Sequence, residues 1–189
     1  NFDIRKHILK YDDVMNRQRE VVYSLRNDLL NGEDPSKDLW TMCEWVIDYL
    51  AGNYAAAREN EENAQKDLLA SIQFHFGIHP PEGTSAEEWL ALDGSDEKFQ
   101  ERLKELVREA FDAKARDLGE DLAQYVMSHI MLQTVTSKWK DHLHTMDTLR
   151  EGVGLRAYGQ KDPLMEYQQE SYTLFEEMYR SIQKDVVTL

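Results

Sequence analysis

The chain has 189 residues, a formal net charge of −14 and 41% hydrophobic residues, so it has enough apolar side chains for a core and wholesale disorder is excluded. Its single cysteine, Cys43, excludes an internal disulfide framework and a metal site built from several cysteines. The excess acid is concentrated in residues 32–117, with 9 bases against 20 acids, and such a surface repels phosphate backbones, so we expect no nucleic-acid partner.

The first predicted element is one long helix over residues 3–31. Its apolar positions recur at alternating steps of four and three, which is the pattern of a heptad seam. The seam positions are Ile4, Ile8, Tyr11, Met15, Gln18, Val22, Leu25 and Leu29. A helix of this length measures about 40–45 Å, too long for the core of a small domain, so we expect a spine for other elements. Asn31-Gly32 predicts its end, because glycine tolerates the left-handed cap conformation.

Residues 33–117 predict a small acidic helical module. Asp34-Pro35 is expected to open its first helix as N-cap and first helical position. A second helix is predicted over 59–76, a capping box at 85–88 precedes a short turn, and a last helix is predicted to begin near Ser95. The residues expected to face inward are Trp40, Cys43, Ile47, Leu50, Leu68, Leu69, Ile72, Phe76, Phe99, Leu103, Leu106, Val107 and Phe111.

The last part of the chain predicts a hairpin of two antiparallel helices. The first apolar stripe consists of Leu122, Tyr125, Val126, Ile130, Val135, Trp139, Leu143, Met146 and Leu149. The second consists of Leu164, Tyr167, Leu174, Phe175, Met178, Ile182 and Val186. Asp162-Pro163 starts the second helix with an N-cap and a proline at the first position. The connection is predicted at 151–162, and it is rich in glycine for a link between two helices.

No pattern in the chain supports an autonomous enzyme. The glycines at 152, 154 and 159 follow a helix rather than a strand, and their spacing differs from that of a dinucleotide site. The sequence contains no GxxxxGK[ST] phosphate loop and no GxSxG nucleophile elbow. It also contains no apolar run of the roughly 18 residues that span a membrane, and no signal peptide.

For individual polar residues, the sequence also predicts structural roles rather than catalysis or metal binding. His142 and His144 are two apart and point to nearly opposite sides of a helix, so they do not predict a zinc site. His75 and His79 do not predict a zinc site either, because a helix break lies between them. We expect His142, three residues after Trp139, to be packed or to cap a helix rather than to be catalytic, and Cys43 to be buried. The adjacent acids Asp12 and Asp13 are expected to be solvated.

The hairpin tip is the most informative part of the sequence for function. Tyr158 lies between Arg156 and Lys161 in a glycine-rich stretch. An exposed amphipathic ring flanked by cations suits sequence-tolerant contact with a polypeptide. Alternatively, Tyr158 folds back onto the hairpin, and the residues alone do not decide between the two interpretations.

Two long stretches of the chain carry a family likeness. Residues 1–19 read NFDIRKHILKYDDVMNRQR. The second stretch reads Trp139-x-x-His142-Leu143-x-x-Met146-Asp147-x-Leu149-Arg150-Glu151-Gly152, then Gly154-Leu-Arg-Ala-Tyr-Gly-Gln-Lys-Asp-Pro163 and Glu166-Tyr167. Both resemble the SecA family of bacterial preprotein translocase ATPases. Residues 33–117 show no matching motif, so their assignment rests on position.

The resemblance implies an all-α fold in which a long scaffold helix packs with a two-helix finger, and a small helical wing is inserted between them. The domains expected are 1–32 for the scaffold helix, 33–117 for the wing and 118–189 for the finger. Because the chain begins with Asn1 inside an amphipathic pattern, we expect it to be part of a longer protein. The ATP- and magnesium-binding motor domains, the preprotein-binding domain and the zinc-binding tail of the family lie outside residues 1–189. We therefore expect no cofactor here, and a transducing piece of an ATPase rather than an ATPase.

The resemblance also implies partners. The finger tip would enter the cytoplasmic funnel of the SecYEG channel and contact unfolded preproteins, and the scaffold helix would contact the motor domains of the same protein. The finger region would restrain ATP turnover. A homodimer of the parent protein is compatible with the family, and the location implied is the cytoplasm, peripherally at the inner face of the plasma membrane.

Particular residues are implied in the finger. Contact with polypeptide or channel at the tip is expected from Leu155, Arg156, Tyr158 and Lys161. A structural role in the finger is expected for Trp139, His142, Leu143, Met146 and Arg150. Ala157 stands where the family pattern has glycine, which we expect to stiffen the tip slightly.

The rival hypothesis is a free-standing helical adaptor that uses the seam of residues 1–31 for coiled-coil assembly. An exposed seam predicts a concentration-dependent dimer. A seam covered by the hairpin predicts a monomer.

Overall fold

The computed structural model describes residues 2–59, 62–156 and 162–189, with side chains described from residue 9 onward except at 154–156. Within these residues it contains seven helices and no strand, which confirms the all-α prediction. The helices are α1 (Phe2–Leu30), α2 (Ser36–Ala57), α3 (Ala64–Phe76), α4 (Ala86–Leu90), α5 (Asp96–Leu118), α6 (Glu120–Arg156) and α7 (Pro163–Thr188). None of the described helices is both long enough and apolar enough to cross a membrane.

The chain forms two compact units. The hairpin unit consists of residues 1–33 and 128–182, and the middle unit consists of residues 34–127 and 183–189. The first turns of α6 and the last residues of α7 therefore group with the middle unit. The predicted division into 1–32, 33–117 and 118–189 stays a prediction.

Helix α1 is the predicted spine, and its seam faces the interior of the hairpin unit. Seam residues Tyr11, Gln18, Val22 and Leu29 are buried at intervals of seven, four and seven. The helix ends as predicted, because Gly32 adopts φ +79°, the left-handed conformation that glycine tolerates.

Helix α2 begins one residue later than predicted, although the predicted cap forms. The Asp34 carboxylate accepts hydrogen bonds from the Ser36 backbone N–H at 3.0 Å and from the Ser36 hydroxyl at 2.6 Å. These two bonds lower the pKa of Asp34, because they stabilise its charged form. In the capping box predicted at 85–88, Ser85 Oγ accepts from Glu88 N at 3.2 Å. Helix α5 begins at Asp96, next to the predicted start, with Ser95 as its N-cap.

One apolar core holds the middle unit together. Helices α2 to α5 contribute residues with no exposed surface, namely Val46, Ile47, Ile72, Leu90 and Leu103. Val187, near the end of α7, packs against the same core. Eight of the predicted inward-facing residues are buried there: Cys43, Ile47, Leu50, Leu68, Ile72, Phe99, Leu103 and Val107. The remaining five are partly buried: Trp40, Leu69, Phe76, Leu106 and Phe111.

The hairpin differs from its prediction at both ends of α6. The connection was predicted to begin at residue 151, but α6 continues to Arg156. Val153 explains the extension, because it is fully buried and continues the stripe of Met146 and Leu149. At the other end, Leu122 is 49% exposed and Tyr125 65% exposed, so their predicted inward orientation is wrong. The small side chain of Ala123 is buried there instead, which sets a different phase for the first turns of the helix.

Candidate functional site: the stem of the hairpin

The predicted finger residues converge where three helices of the hairpin unit meet. Residues 11–23 of α1 lie against residues 139–153 of α6 and 164–175 of α7, and we call this region the stem. Its side chains fall into a polar relay, a group of rings, an apolar cluster and an ion pair. Each is built from at least two of the three helices.

A buried relay of hydrogen bonds joins all three helices. The Gln18 amide on α1 donates from Nε2 to the Ser171 carbonyl oxygen on α7 at 3.1 Å. Its Oε1 lies 2.7 Å from Nε2 of His142 on α6. Since this oxygen can only accept, His142 must donate from Nε2. One amide therefore fixes the register of α1 against both helices of the hairpin.

The same relay sets the charge of His142. The ring is only 4% exposed, and burial lowers its pKa, because the charged imidazolium is poorly solvated there. His142 is therefore neutral near pH 7. This confirms the prediction of a packed histidine.

A group of rings surrounds the relay. Trp139 meets Tyr23 of α1 edge-on at a centroid distance of 6.5 Å and lies 5.6 Å from His142. His142 in turn meets Phe175 of α7 at 5.7 Å. Among the described residues, the buried Nε1 of Trp139 finds no hydrogen-bond acceptor. Trp139 therefore stabilises the stem through its ring faces and edges rather than through its N–H group.

An apolar cluster closes the stem on the side where α6 ends and α7 begins. We call it the collar; its buried members are Tyr11, Met146, Leu149, Val153 and Tyr167. The rings of Tyr11 and Tyr167 are 4.9 Å apart at an angle of 54°. Burial raises the pKa of both tyrosines, and the charge of Asp162 raises that of Tyr11 further. Both rings are therefore neutral at pH 7 and pack as large, mostly apolar groups.

An ion pair lies beside the collar. Arg150 Nη1 of α6 is 3.1 Å from Asp12 Oδ1 of α1, and the guanidinium carbon lies 5.6 Å from the centroid of the Tyr11 ring. The Asp12 side chain is 46% exposed, so it is solvated as predicted, and it is also paired with a residue 138 positions away in the sequence. Asp13 is exposed, as predicted.

The structure places the predicted finger residues as follows. Trp139, His142 and Met146 are buried, Leu143 is partly buried, and Arg150 is exposed but paired. The side chains of the four predicted tip residues lie outside the described residues; they are Leu155, Arg156, Tyr158 and Lys161. The backbone of residues 155 and 156 belongs to α6, so these two positions are helical rather than part of the predicted connection.

Sequence reasoning missed two members of the relay. Gln18 occupies a seam position, and a polar residue at such a position commonly fixes register, which is the signal that could have identified it. Ser171 is 1% exposed and lies four residues after Tyr167, but its hydroxyl excluded it from an apolar stripe. Its contribution is a backbone carbonyl, for which the sequence carries no signal.

The middle unit holds its cysteine and a histidine in structural positions. Burial raises the pKa of Cys43 to about 12, so the thiol stays protonated and unreactive at neutral pH. The His75 ring nitrogen Nδ1 lies 2.9 Å from the Thr188 hydroxyl. Lys184 Nζ lies 3.9 Å from the centroid of the Tyr49 ring. These contacts fasten the last residues of the chain to the middle unit.

Comparison with known proteins gives a consistent result. The family model described as "SecA Wing and Scaffold domain" matches residues 1–189. The chain is 45% identical over 188 residues to the protein translocase subunit SecA of Pelotomaculum thermopropionicum. It is 41% identical over 188 residues to that of Syntrophus aciditrophicus and 40% identical over 192 residues to that of Geobacter sulfurreducens.

These matches cover 99% of the chain but only 20–22% of each relative. The chain thus spans about a fifth of the length of the curated relatives it matches. The match over the whole chain includes the middle unit, which the sequence motifs alone left to position. The chain belongs to the SecA wing and scaffold domain family.

Proposed function

We propose that this chain couples ATP-driven motion in a SecA-type translocase to movement of a preprotein through the SecYEG channel. The observation that carries the proposal is the relay of Gln18, His142 and Ser171. Because one buried amide bonds to both hairpin helices, an axial shift of α1 by one turn, about 5.4 Å, would break both bonds. Displacing α1 therefore carries the hairpin with it.

The coupling then follows from the order of the elements. Motor domains of the same protein would move α1, and the stem would pass that displacement to α6 and α7. The hairpin tip would deliver it to the polypeptide, with Tyr158 making sequence-tolerant contacts through its ring and hydroxyl. Arg156 and Lys161 would orient the tip or meet loops of the channel, and Leu155 would add apolar contact.

The proposal assigns the remaining roles to other parts of the parent protein. ATP and magnesium would bind the motor domains and zinc the C-terminal tail, all outside residues 1–189. Restraint of ATP turnover would follow from the same stem, because a rigid stem opposes motor movement until the tip yields. The parent protein would work in the cytoplasm at the inner face of the plasma membrane, as a monomer or homodimer.

A photo-crosslinking residue at position 158 tests the proposal in the complete parent protein. The reaction contains the channel, ATP and a stalled secretory polypeptide, and the matched probe is placed at Lys98, which is exposed on α5. We expect crosslinks to polypeptide or channel from position 158 and none from position 98. A preparation that still translocates but gives no crosslinks from position 158 would overturn the tip assignment.

The seam of α1 does not favour the rival coiled-coil adaptor. Tyr11, Gln18 and Val22 are buried within the chain, and Tyr11 and Gln18 contact α6 and α7. A coiled-coil partner would have to displace the hairpin helices to reach this face.

A further inference from the structure

The ion pair beside the collar lies where the end of α6 and the start of α7 meet α1. On α6, Arg150 is followed after one turn by buried Val153. On α7, Asp162 caps the first turn by accepting from Leu164 N at 2.9 Å, and Tyr167 follows in the collar. Tyr11 and Asp12 of α1 therefore touch the last turns of α6 and the first turns of α7.

The packing of the collar is less directional than a hydrogen bond or an ion pair. Apolar side chains pack without strong directional preference, so they allow small sliding movements. A charged pair is directional, and Arg150 has two neighbours on α1, since its guanidinium carbon lies 5.6 Å from the Tyr11 ring and its Nη1 3.1 Å from Asp12. The ion pair therefore restrains the axial position of α1 near the end of α6, where the hydrogen bonds of Gln18 make no contact.

We propose that Asp12 and Arg150 are positioning residues that fix the last turns of α6 against α1, so that the hairpin end follows each displacement of α1. This inference rests on the proposed coupling function. The relay holds the middle of the stem, and the ion pair holds its end. Without the pair, movement of α1 is partly lost as fraying of residues 150–156.

The exposure of the pair makes it separable from stability. Both side chains are more than 40% exposed, and exposed ion pairs add little to the free energy of unfolding. Loss of the pair should therefore leave the complete protein folded. A functional defect in an Asp12 variant is then a defect in positioning.

The test compares Asp12→Asn with Asp13→Asn in the complete parent protein. Asp13 is the exposed neighbour on the same helix and is the matched control. Two quantities are measured: polypeptide translocated per ATP hydrolysed, and amide hydrogen exchange across residues 150–156. A third variant combines Asp12→Arg with Arg150→Asp, which restores the pair with its charges exchanged.

We expect Asp12→Asn to lower the polypeptide moved per ATP by about threefold and to accelerate exchange at 150–156 by about two- to fivefold, the range set by an exposed ion pair. Asp13→Asn should change neither, and the exchanged pair should recover both. Equal behaviour of Asp12→Asn and Asp13→Asn would overturn the inference, as would a coupling defect that the exchanged pair leaves in place.

The outcomes also separate this inference from the proposed function. If position 158 gives no crosslinks but both measurements respond to Asp12→Asn, the tip assignment fails and the positioning role stands. If position 158 crosslinks to polypeptide and Asp12→Asn behaves as the control does, the tip assignment stands and the positioning role fails.

Discussion

The two units of the molecule bury polar side chains to different extents. In the middle unit the fully buried residues are aliphatic, including Val46, Ile47 and Leu103, and Gln183 is the one buried polar residue among those described there. In the hairpin unit Gln18, His142 and Ser171 are buried among the apolar residues. An aliphatic core stabilises through the area it removes from water, whereas buried polar groups stabilise only in the arrangement that satisfies them. The difference indicates that the stability of the middle unit depends mainly on the apolar area it buries. The stability of the hairpin unit depends also on the axial register of its helices, which the buried polar groups require.

The largest expected effect is in the aliphatic core. Leu103→Ala should lower the free energy of unfolding of the middle unit by about 2–5 kcal/mol, because it leaves a cavity where no surface is exposed. Urea unfolding is followed by tryptophan fluorescence in a Trp139→Phe background, in which the remaining tryptophans all belong to the middle unit. Leu106→Ala, at a partly buried position of the same helix, should cost less. Equal costs would contradict the assigned core.

The next effect tests the relay. Gln18→Ala leaves the His142 N–H group and the Ser171 carbonyl buried without their partner, which should cost about 2 kcal/mol. Amide exchange of α6 and α7 peptides within 128–182 measures this locally. Gln133→Ala, at an exposed position of α6, should stay within about 0.5 kcal/mol of the unmodified protein. A similarly small effect of Gln18→Ala would remove the distinction between the two units.

A smaller effect depends on pH. The pKa of folded His142 is lowered from its usual 6.5, so between that value and the lower folded value the unfolded chain binds more protons. Stability of the hairpin unit should therefore be complete above about pH 6.5 and decline below it, by at most about 1.4 kcal/mol per pH unit. His142→Gln should remove this slope in exchange measured at pH 5.5 and pH 7.5. His75, whose pKa is also lowered by burial, gives the middle unit a slope of the same sign that His142→Gln leaves intact.

The smallest expected effect is at Trp139. Trp139→Phe removes some contact area but also removes a buried N–H group for which the described residues provide no acceptor, so we expect a change within about 1 kcal/mol. Trp139→Leu, which loses the ring contacts with Tyr23 and His142, should cost more. Exchange of α6 amides ranks the two variants. If Trp139→Phe is as costly as Trp139→Leu, the indole N–H has a role that the contacts do not explain.

Much of the fold could be predicted from the sequence because local signals determine it. The heptad seam and Gly32 give α1 and its end, and the serines at 85 and 95 give two helix starts. The periodic aliphatic residues of α2 and α5 identify the middle core without knowledge of the fold. In each case the residues that carry the signal lie within a few turns of one another.

The candidate site was less predictable because its contacts join distant residues. The sequence places positions 139, 142 and 146 and the ring residues Tyr11, Tyr167 and Phe175 on inner faces, but it does not predict which of them meet across the helices. The sequence gives Asp12 and Asp13 the same prediction, whereas in the folded chain α6 places Arg150 next to Asp12 alone. Leu122 and Tyr125 fit a helical period, but the phase of the buried face is set by tertiary packing around Ala123. Periodicity predicts that a helix has a buried face. It does not determine which residues lie at the boundary of that face.

Gly152 gives the end of α6 an additional property. It is helical, and a Cβ at this position would meet nothing within 4 Å, so packing does not require glycine there. Together with Gly154, it makes the last two turns about 2 kcal/mol less favourable as helix than alanine would. Burial of Val153 returns a similar amount, about 1.5–3 kcal/mol. The burial of Val153 therefore offsets the weak intrinsic helix preference of these turns, so the end of α6 depends on its packing in the collar rather than on helix propensity.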